Sequence, residues 1–284
     1  MEKRKLGRTG HESTVAILGG FAFSETTQEK TDAAMETVLK AGVNHIDIAP
    51  TYGHAEERLG PWLAKHRERF FLGCKTMERK KEDAARELRE SLSRLKVDHF
   101  DLYQIHAVTT EEELEAALKP GGAIEALVEA REQGLTRYLG ITGHGAVIPS
   151  LLMQALNRFD FDTVLFPINF IQYTDETYRK NAEKLLSVCH EKDVGTMIIK
   201  SIAKGKWGDK PHSYNTWYEP FDDKEEIQKG INFALSQEIT GICTVGDVDL
   251  LPAVLSACQN FTPYTKEEQE ALIRGGNQYQ PLFP

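Results

Sequence analysis

Four side chains that can hold or transfer a proton follow short apolar segments in the first part of the chain. They are Asp47, Tyr52, Lys75 and His106. An ionisable side chain is costly in an apolar segment unless it is paired. Asp47 lies between two isoleucines, and Lys75 follows a run of apolar residues. We therefore expect Asp47 and Lys75 to be partners.

The residue types in this set point to proton delivery. A free tyrosine has a pKa of about 10, so it donates its proton poorly near neutrality unless its anion is stabilised. A neighbouring lysine stabilises that anion, and an aspartate holds the lysine charged. A histidine beside the tyrosine can orient a substrate oxygen. Together the four groups suit a reaction in which an oxygen atom gains negative charge.

Each of these residues also has a purely structural interpretation. Asp47 and Lys75 would then form a buried salt bridge, and His106 would be a core histidine. Clustering of all four at neighbouring positions favours the catalytic interpretation. The sequence shows no evident nucleophile, and we expect no metal site.

The elements that must position these residues alternate along the whole chain. Short apolar or β-branched runs are followed by stretches of helical period. The predicted strands span 15–21, 45–49, 70–76, 100–107, 137–142, 163–169, 195–201 and 241–245. The predicted helices span 29–41, 55–66, 81–95, 123–133, 147–156, 176–190, 224–236 and 249–257.

Eight strand–helix units predict a (β/α)8 TIM barrel, with an open doubly wound sheet as the alternative. Several of the strands are continuously apolar, as in a parallel sheet covered on both faces. Residues 3–15 are expected to form a hairpin that caps the bottom of the barrel, and 266–274 a short extra C-terminal helix. We expect one domain over 1–284 and an irregular tail over 278–284. In such a barrel, polar residues at the C-terminal strand ends are the default catalytic candidates.

Composition limits the classes of partner. The 284 residues carry a net charge of −9 without a polybasic run, which argues against nucleic acid and anionic membranes. No apolar run is long enough to span a bilayer, and no signal peptide is evident. The four cysteines are scattered, which favours a reducing, cytoplasmic location. The sequence gives no indication of oligomeric state.

The segment around the tyrosine resembles the signature of the aldo/keto reductase family. Residues 47–60, DIAPTYGHAEERLG, match its Asp, Ala, Tyr-Gly, Glu and Leu-Gly at fixed spacing. Lys75, and His106 within DLYQIH, fall where that family keeps its other two catalytic residues. The resemblance covers most of the chain, from about residue 5 to about residue 257.

The resemblance implies a barrel that binds NADPH, or less often NADH, and reduces aldehydes or ketones to alcohols. The substrate would be a small carbonyl compound, and hydride would pass from the nicotinamide to its carbonyl carbon. Tyr52 would protonate the oxygen, Lys75 would lower the tyrosine pKa, Asp47 would pair with the lysine, and His106 would orient the carbonyl. Two alternatives stay open: a cofactor-binding sensor with weak turnover, and a lyase or isomerase using the same four residues.

The resemblance also assigns cofactor contacts to loops after several strands. They are Gly20, Phe21, Asp47, Thr142, His144, Asn169, Lys200, Ser201, Ala203, Gly205, Thr244, Val245 and Gly246. Three positions depart from the family pattern. Gly143 replaces an asparagine, Leu165 a common glutamine, and Lys200 an aromatic residue that stacks on the nicotinamide in many members.

Cofactor preference and substrate are less well defined. Val248 stands where many members carry a basic residue for the 2′-phosphate, with Asp247 and Asp249 beside it, so NADH competes with NADPH as the expected cofactor. Candidates for an apolar mouth are Phe21, Phe23, Trp207, Tyr214, Trp217 and Tyr218. The loop 207–220 could act as a lid. The short C-terminus suggests a site that is open or completed by another subunit.

Overall fold

The computed structural model describes residues 1–284 and contains a closed barrel of eight parallel strands. Each strand pairs with the next along the chain, and Ile242 of the last pairs with Ala16 of the first. The open sheet is thereby excluded, and the TIM barrel is confirmed. The strands are β1 (Ala16–Gly19), β2 (His45–Asp47), β3 (Phe71–Thr76), β4 (Leu102–Val108), β5 (Tyr138–Gly143), β6 (Thr163–Pro167), β7 (Gly195–Ile199) and β8 (Gly241–Cys243).

The helices surround the barrel and bury its outer face. They are α1 (Gln28–Ala41), α2 (Ala55–His66), α3 (Lys81–Leu95), α4 (Glu111–Leu118), α5 (Ala123–Glu132), α6 (Ile148–Arg158), α7 (Glu176–Glu191), α8 (Lys224–Leu235), α9 (Leu251–Gln259) and α10 (Lys266–Gly276). The predicted extra C-terminal helix is α10. Every residue of β3 and of β6 is buried, as expected for strands covered on both sides. No helix is long and apolar enough to cross a membrane.

The N-terminal hairpin closes the bottom of the barrel, as predicted. Its two strands, Lys3–Lys5 and Glu12–Thr14, pair antiparallel. The turn between them inserts Leu6, which is fully buried and packs with Ile17 and Met197 in the lower core. Gly7 has a φ of 48°, and a Cβ there would lie 2.2 Å from the Gly195 nitrogen, so the close approach requires glycine.

Three details differ from the predicted elements. The first strand ends at Gly19, and a 3-10 turn, Gly20–Phe23, follows it, so Phe21 lies in a loop. The seventh strand ends at Ile199 because Lys200 has a left-handed φ of 64°, which no strand continues. Helix α4 was missed because it is one short acidic segment, although Thr110 caps its N-terminus by accepting from the Glu113 N–H.

Candidate active site

A cavity of about 250 Å³ opens at the C-terminal ends of the barrel strands. Asp47, Tyr52, Lys75 and His106 all line it. The four residues selected from sequence are therefore brought together at one place, where a barrel enzyme carries its chemistry.

Lys75 is the centre of this cluster. Its Nζ lies 2.5 Å from the Asp47 Oδ2, and it also donates to the Ile48 carbonyl at 3.1 Å and to the Tyr52 hydroxyl at 3.4 Å. Lys75 and Asp47 are both buried, with side chains 1% and 4% exposed. The expected pairing of Asp47 with Lys75 is thus present, and the lysine links the aspartate to the tyrosine.

Strand register places these groups side by side. Asp47 pairs in register with Gly73, and Lys75 pairs with Gln104. The Nε2 atom of Gln104 donates to the Asp47 Oδ1 at 2.8 Å, so both carboxylate oxygens have a donor. Gln104 was missed in the sequence. Its signal was its position two residues before His106, which puts both side chains on the same side of β4.

The pKa directions in the cluster agree with a proton held on the tyrosine. Burial raises the pKa of Tyr52, and this outweighs the lowering effect of Lys75. Burial alone lowers the pKa of Lys75, but the Asp47 carboxylate and Tyr52 outweigh it and raise that pKa. Lys75 therefore stays charged and Tyr52 stays protonated near neutrality. The sequence prediction that Lys75 lowers the tyrosine pKa describes only one of the opposing effects.

The rings of His106 and Tyr52 pack edge to face. The two ring centres are 5.7 Å apart at an angle of 80°. Burial and the charge of Lys75 lower the pKa of His106 well below its ordinary value, so the imidazole is neutral. Its Nδ1 is buried without a hydrogen-bond partner. The ring lines the same cavity as Tyr52, which places the histidine where a ligand oxygen could meet it.

The backbone around His106 leaves the regular ladder. Pairing between β4 and β5 shifts register after Ile105, and Ala107 has a φ of 54°. The Arg79 guanidinium donates to the His106 carbonyl at 2.7 Å, and the Thr142 hydroxyl accepts from the Ala107 N–H at 3.1 Å. Such bulges often re-aim a side chain beside an active site. Here the side chain at the bulge is the histidine.

Comparison with known proteins agrees with this geometry. The sequence profile of the aldo/keto reductase family matches residues 16–269. The chain belongs to that family. It is accordingly an NAD(P)H-dependent oxidoreductase that reduces carbonyl compounds, and the sensor and lyase alternatives are not favoured.

Relatives with curated descriptions are distant. An uncharacterized oxidoreductase of Bacillus subtilis, YqkF, is 24% identical over 225 residues, which cover 74% of this chain and 68% of the relative. An aldo-keto reductase of Mycolicibacterium paratuberculosis is 26% identical over 199 residues, covering 68% of this chain and 64% of the relative. The matches thus span about two thirds of each relative's length.

Solved structures of aldo-keto reductases share the fold. The holo form of a Bacillus halodurans aldo-keto reductase has a TM-score of 0.76 and is 21% identical, covering 100% of this chain and 98% of its own. A Klebsiella pneumoniae aldo-keto reductase in complex with NADPH has a TM-score of 0.72 and is 18% identical, covering 100% of this chain and 96% of its own. At these identities the likeness shows the barrel alone.

About half of the residues assigned to the cofactor line the aldo/keto reductase cavity. Those in the lining are Phe21, Asp47, Thr142, His144, Lys200, Thr244 and Gly246. Those outside it are Gly20, Asn169, Ser201, Ala203, Gly205 and Val245. The structure therefore does not bring the second group to the cavity wall, and their cofactor contacts stay predictions.

Several of the predicted cofactor residues that lie outside the lining make contacts within the protein. The Asn169 side chain donates to the Lys200 carbonyl at 3.1 Å and accepts from the Gln172 N–H at 2.7 Å. Its amide therefore supports the loop after β7, and its contact with the cofactor stays a prediction. Ala203 pairs with Pro220 in a small two-stranded sheet, and Ser201 is buried at 4% exposure.

The three departures from the family pattern have different physical settings. A Cβ at Gly143 would lie 2.2 Å from both the Ile148 Cδ1 and the Val108 carbonyl oxygen, so no side chain fits there. Leu165 lines the cavity and packs in the lower core with Leu6. Lys200 also lines the cavity, so it is not the solvated loop residue that a lone surface lysine would be.

The C-terminal tail is the contributor that the sequence did not predict. The Phe283 ring stacks on His144 at 5.7 Å, and the Gln172 side chain holds the Phe283 backbone through two hydrogen bonds of 2.8 Å and 3.1 Å. Leu282 is buried against Ala203 and Tyr218. The tail is irregular, as expected, but it packs beside the cavity of its own chain. The expectation of a site that is open or completed by another subunit stays a prediction.

Only part of the predicted aromatic mouth is present. Phe21, Trp217 and Tyr218 line the cavity. Phe23 is fully buried in the core. Trp207 is buried and donates to the Thr216 carbonyl at 2.7 Å. The remaining candidate, Tyr214, donates to Asp222 at 3.0 Å and does not reach the lining.

Hydrogen bonds from Asn215 hold the loop 207–220 against neighbouring segments at the cavity mouth. The Asn215 Nδ2 donates to Ser24 Oγ at 2.8 Å and to the Gly246 carbonyl at 3.2 Å. The Asp247 carboxylate accepts from the N–H groups of Asn215 and Asp249, both at 2.8 Å. Asp249 itself lies 3.3 Å from Lys30. These carboxylates therefore have partners within the protein.

Proposed function

We propose that Tyr52 is the proton donor to the carbonyl oxygen of an aldehyde or ketone bound in this cavity. The observation that carries the proposal is the link from Asp47 through Lys75 to the Tyr52 hydroxyl, at 2.5 Å and 3.4 Å. A buried charged lysine beside the hydroxyl stabilises the phenolate that forms as the proton leaves. Asp47 keeps that lysine charged and in place.

The donor set of the cavity fits a nicotinamide cofactor. The Thr142 hydroxyl accepts from the Ala107 N–H, so its own proton is free for a carboxamide oxygen. Thr244 and Gly246 line the opposite wall beside Phe21. We infer that these residues hold the cofactor. When bound, the reduced nicotinamide supplies the hydride that reduces the carbonyl carbon.

His106 orients the substrate. A neutral imidazole has one N–H donor and one acceptor nitrogen, and the His106 ring lines the cavity next to Tyr52. With its pKa lowered by burial, His106 cannot compete with Tyr52 as a proton source near neutrality. It can donate a hydrogen bond to the carbonyl oxygen and fix that oxygen at the tyrosine hydroxyl.

Replacing Tyr52 by phenylalanine tests the proposal. The ring stays and the proton is lost, so kcat should fall by about a hundredfold or more. The dissociation constant for NADPH, measured by quenching of protein fluorescence, should change little. Thr51→Val is the matched control, because Thr51 also lines the cavity but its side chain makes no hydrogen bond there. Full activity of Tyr52→Phe would show that another group protonates the oxygen.

We further propose NADPH as the preferred cofactor, on the family resemblance. The partners found for Asp247 and Asp249 within the protein support this, because a paired carboxylate repels a 2′-phosphate less than a free one. Dissociation constants for NADPH and NADH decide the question, and tighter binding of NADH would reverse the proposal. The four free, buried cysteines support our further proposal of a cytoplasmic location, which cell fractionation tests.

A further inference from the structure

Lys200 is a cation of the active-site cavity for which the protein supplies no anion. It forms no salt bridge, and its Nζ donates no hydrogen bond. The nearest groups around that nitrogen are aromatic faces, with the Trp217 ring centre at 5.0 Å and the Phe283 ring centre at 5.9 Å. Aromatic faces attract a cation but cannot neutralise its charge.

The lining of the cavity as a whole also carries more positive than negative charge. Asp47 is the only carboxylate in the lining, and both of its oxygens already bond to Lys75 and Gln104. The protonated amine of Lys200 therefore adds an uncompensated positive charge to the wall. Lys200 is half-buried, and charges removed from water in proteins are otherwise usually paired.

The backbone at Lys200 adds a second observation. Its φ of 64° lies in the left-handed region, where glycine is the favoured residue and lysine costs free energy. A non-glycine residue held in this conformation beside an active site points to a role for its side chain. The side chain reaches from the loop after β7 toward Trp217, which is 47% exposed at the mouth. Lys200 is thus placed where an entering ligand passes.

We propose that Lys200 binds the carboxylate of the substrate, so that this enzyme prefers carbonyl compounds that carry a carboxylate group. The inference deepens the proposed function and assigns Lys200 a specificity role. A carboxylate at Nζ would complete the missing ion pair, and the ring of Trp217, which lines the cavity, would cover the apolar part of the ligand. Tyr52 and His106 line the same cavity and would hold the carbonyl end.

The state of the amine gives this preference a pH dependence. Burial lowers the pKa of Lys200 to about 7, and Lys75 acts in the same direction. The amine is a cation below that pH and neutral above it. Preference for an anionic ligand should therefore be largest below about pH 7 and decline as pH rises. The other titratable groups that line the cavity are Asp47, Tyr52, Lys75, His106, His144 and Cys243.

Binding measurements test the inference without relying on turnover. Benzoate and its neutral counterpart benzamide are titrated into the full chain by calorimetry at pH 6.5. The wild type should bind benzoate more tightly, and Lys200→Met should weaken benzoate binding by about tenfold to a hundredfold, the effect of removing a charged hydrogen-bond donor. Lys200→Arg keeps the charge and should retain most of the benzoate affinity.

Kinetics with two aldehydes of similar shape then connect the binding to the reaction. The ratio of kcat/KM for 4-carboxybenzaldehyde to that for 4-nitrobenzaldehyde should fall by about tenfold or more in Lys200→Met. The ratio removes any effect of the variant that is common to both substrates. Absence of reduction with either aldehyde would contradict the proposed function, whereas the benzoate titration would still decide the role of Lys200.

Three results would overturn the inference. The first is equal benzoate affinity in wild type and Lys200→Met. The second is a loss of NADPH affinity in that variant with benzoate binding intact, which would assign the amine to an anionic group of the cofactor. The third uses the wild type alone, so it holds even if the variant fails to fold: benzoate that binds no more tightly than benzamide at pH 6.5.

Discussion

The two sides of the active-site cavity are built in different ways. The side formed by β2, β3 and β4 consists of strand-end residues that bond to one another, with Lys75 linked to Asp47 and Asp47 to Gln104. The side formed by the loops after β5 and β7 consists of a lysine, a histidine and aromatic rings that stack. The ring that stacks on that histidine, Phe283, lies outside the cavity lining and comes from the far end of the chain.

The difference separates chemistry from recognition. Strand ends in a barrel are fixed by the register of neighbouring strands, so they can hold reacting groups within a few tenths of an ångström. Loops and a terminal tail are held by a few contacts and can differ between relatives without disturbing the barrel. We therefore expect changes on the strand side to abolish the reaction, and changes on the loop side to alter stability or ligand preference.

The largest effect should come from Lys75→Met. The variant leaves the buried Asp47 carboxylate without its cation, which should lower the free energy of unfolding by about 3 to 5 kcal/mol. It also removes the charge that stabilises the Tyr52 phenolate, so kcat should fall by about a hundredfold or more. Urea denaturation and steady-state kinetics measure the two effects.

A double variant separates stability from chemistry at this pair. Asp47→Asn combined with Lys75→Met removes both charges, so much of the lost stability should return while kcat stays low. Activity that returned together with stability would show that Lys75 supports the fold and not the proton transfer. The strand side would then support the fold and not the reaction, so the two sides would not differ in the proposed way.

The next effect concerns Gly143, which stands where the family pattern has an asparagine. A Cβ there would lie 2.2 Å from the Val108 carbonyl oxygen, so Gly143→Asn should lower the free energy of unfolding by about 1 to 3 kcal/mol. Gly143→Ala tests the Cβ alone. Gly275→Ala is the control, because nothing lies within 4 Å of a Cβ at that position. A stable Gly143→Asn protein with tighter NADPH binding would mean that this loop adapts more freely than its packing indicates.

The strand side could be predicted from sequence, and the reason is local. Helices α2 and α3 begin and end where the pattern predicts. Their apolar period and the signals at their ends depend only on residues close together in the sequence. Asp47, Lys75 and His106 follow apolar strands, and a parallel barrel brings consecutive strand ends together. Gln104 was missed because its spacing from His106 gives the side of the strand but not the carboxylate that the amide will meet.

The loop side could not be predicted to the same degree. Asn169 matches a family position, yet its amide braces the Lys200 backbone, a contact that depends on where two loops meet. Phe283 reaches His144 from a tail with no periodic pattern. Such contacts are decided by packing between segments far apart in the chain, which local propensities do not describe.

The smallest effect should come from Phe283→Ala. The variant removes the ring stacked on His144 but keeps the backbone hydrogen bonds from Gln172, so the free energy of unfolding should fall by about 0.5 to 1.5 kcal/mol, as for one aromatic pair. Urea denaturation measures this, with deletion of Pro284 alone as the control. A loss of several kcal/mol would show that the tail belongs to the core of the barrel. No loss at all would show that its ring does not pack on His144 in solution, and the loop side would then lack its most distant contributor.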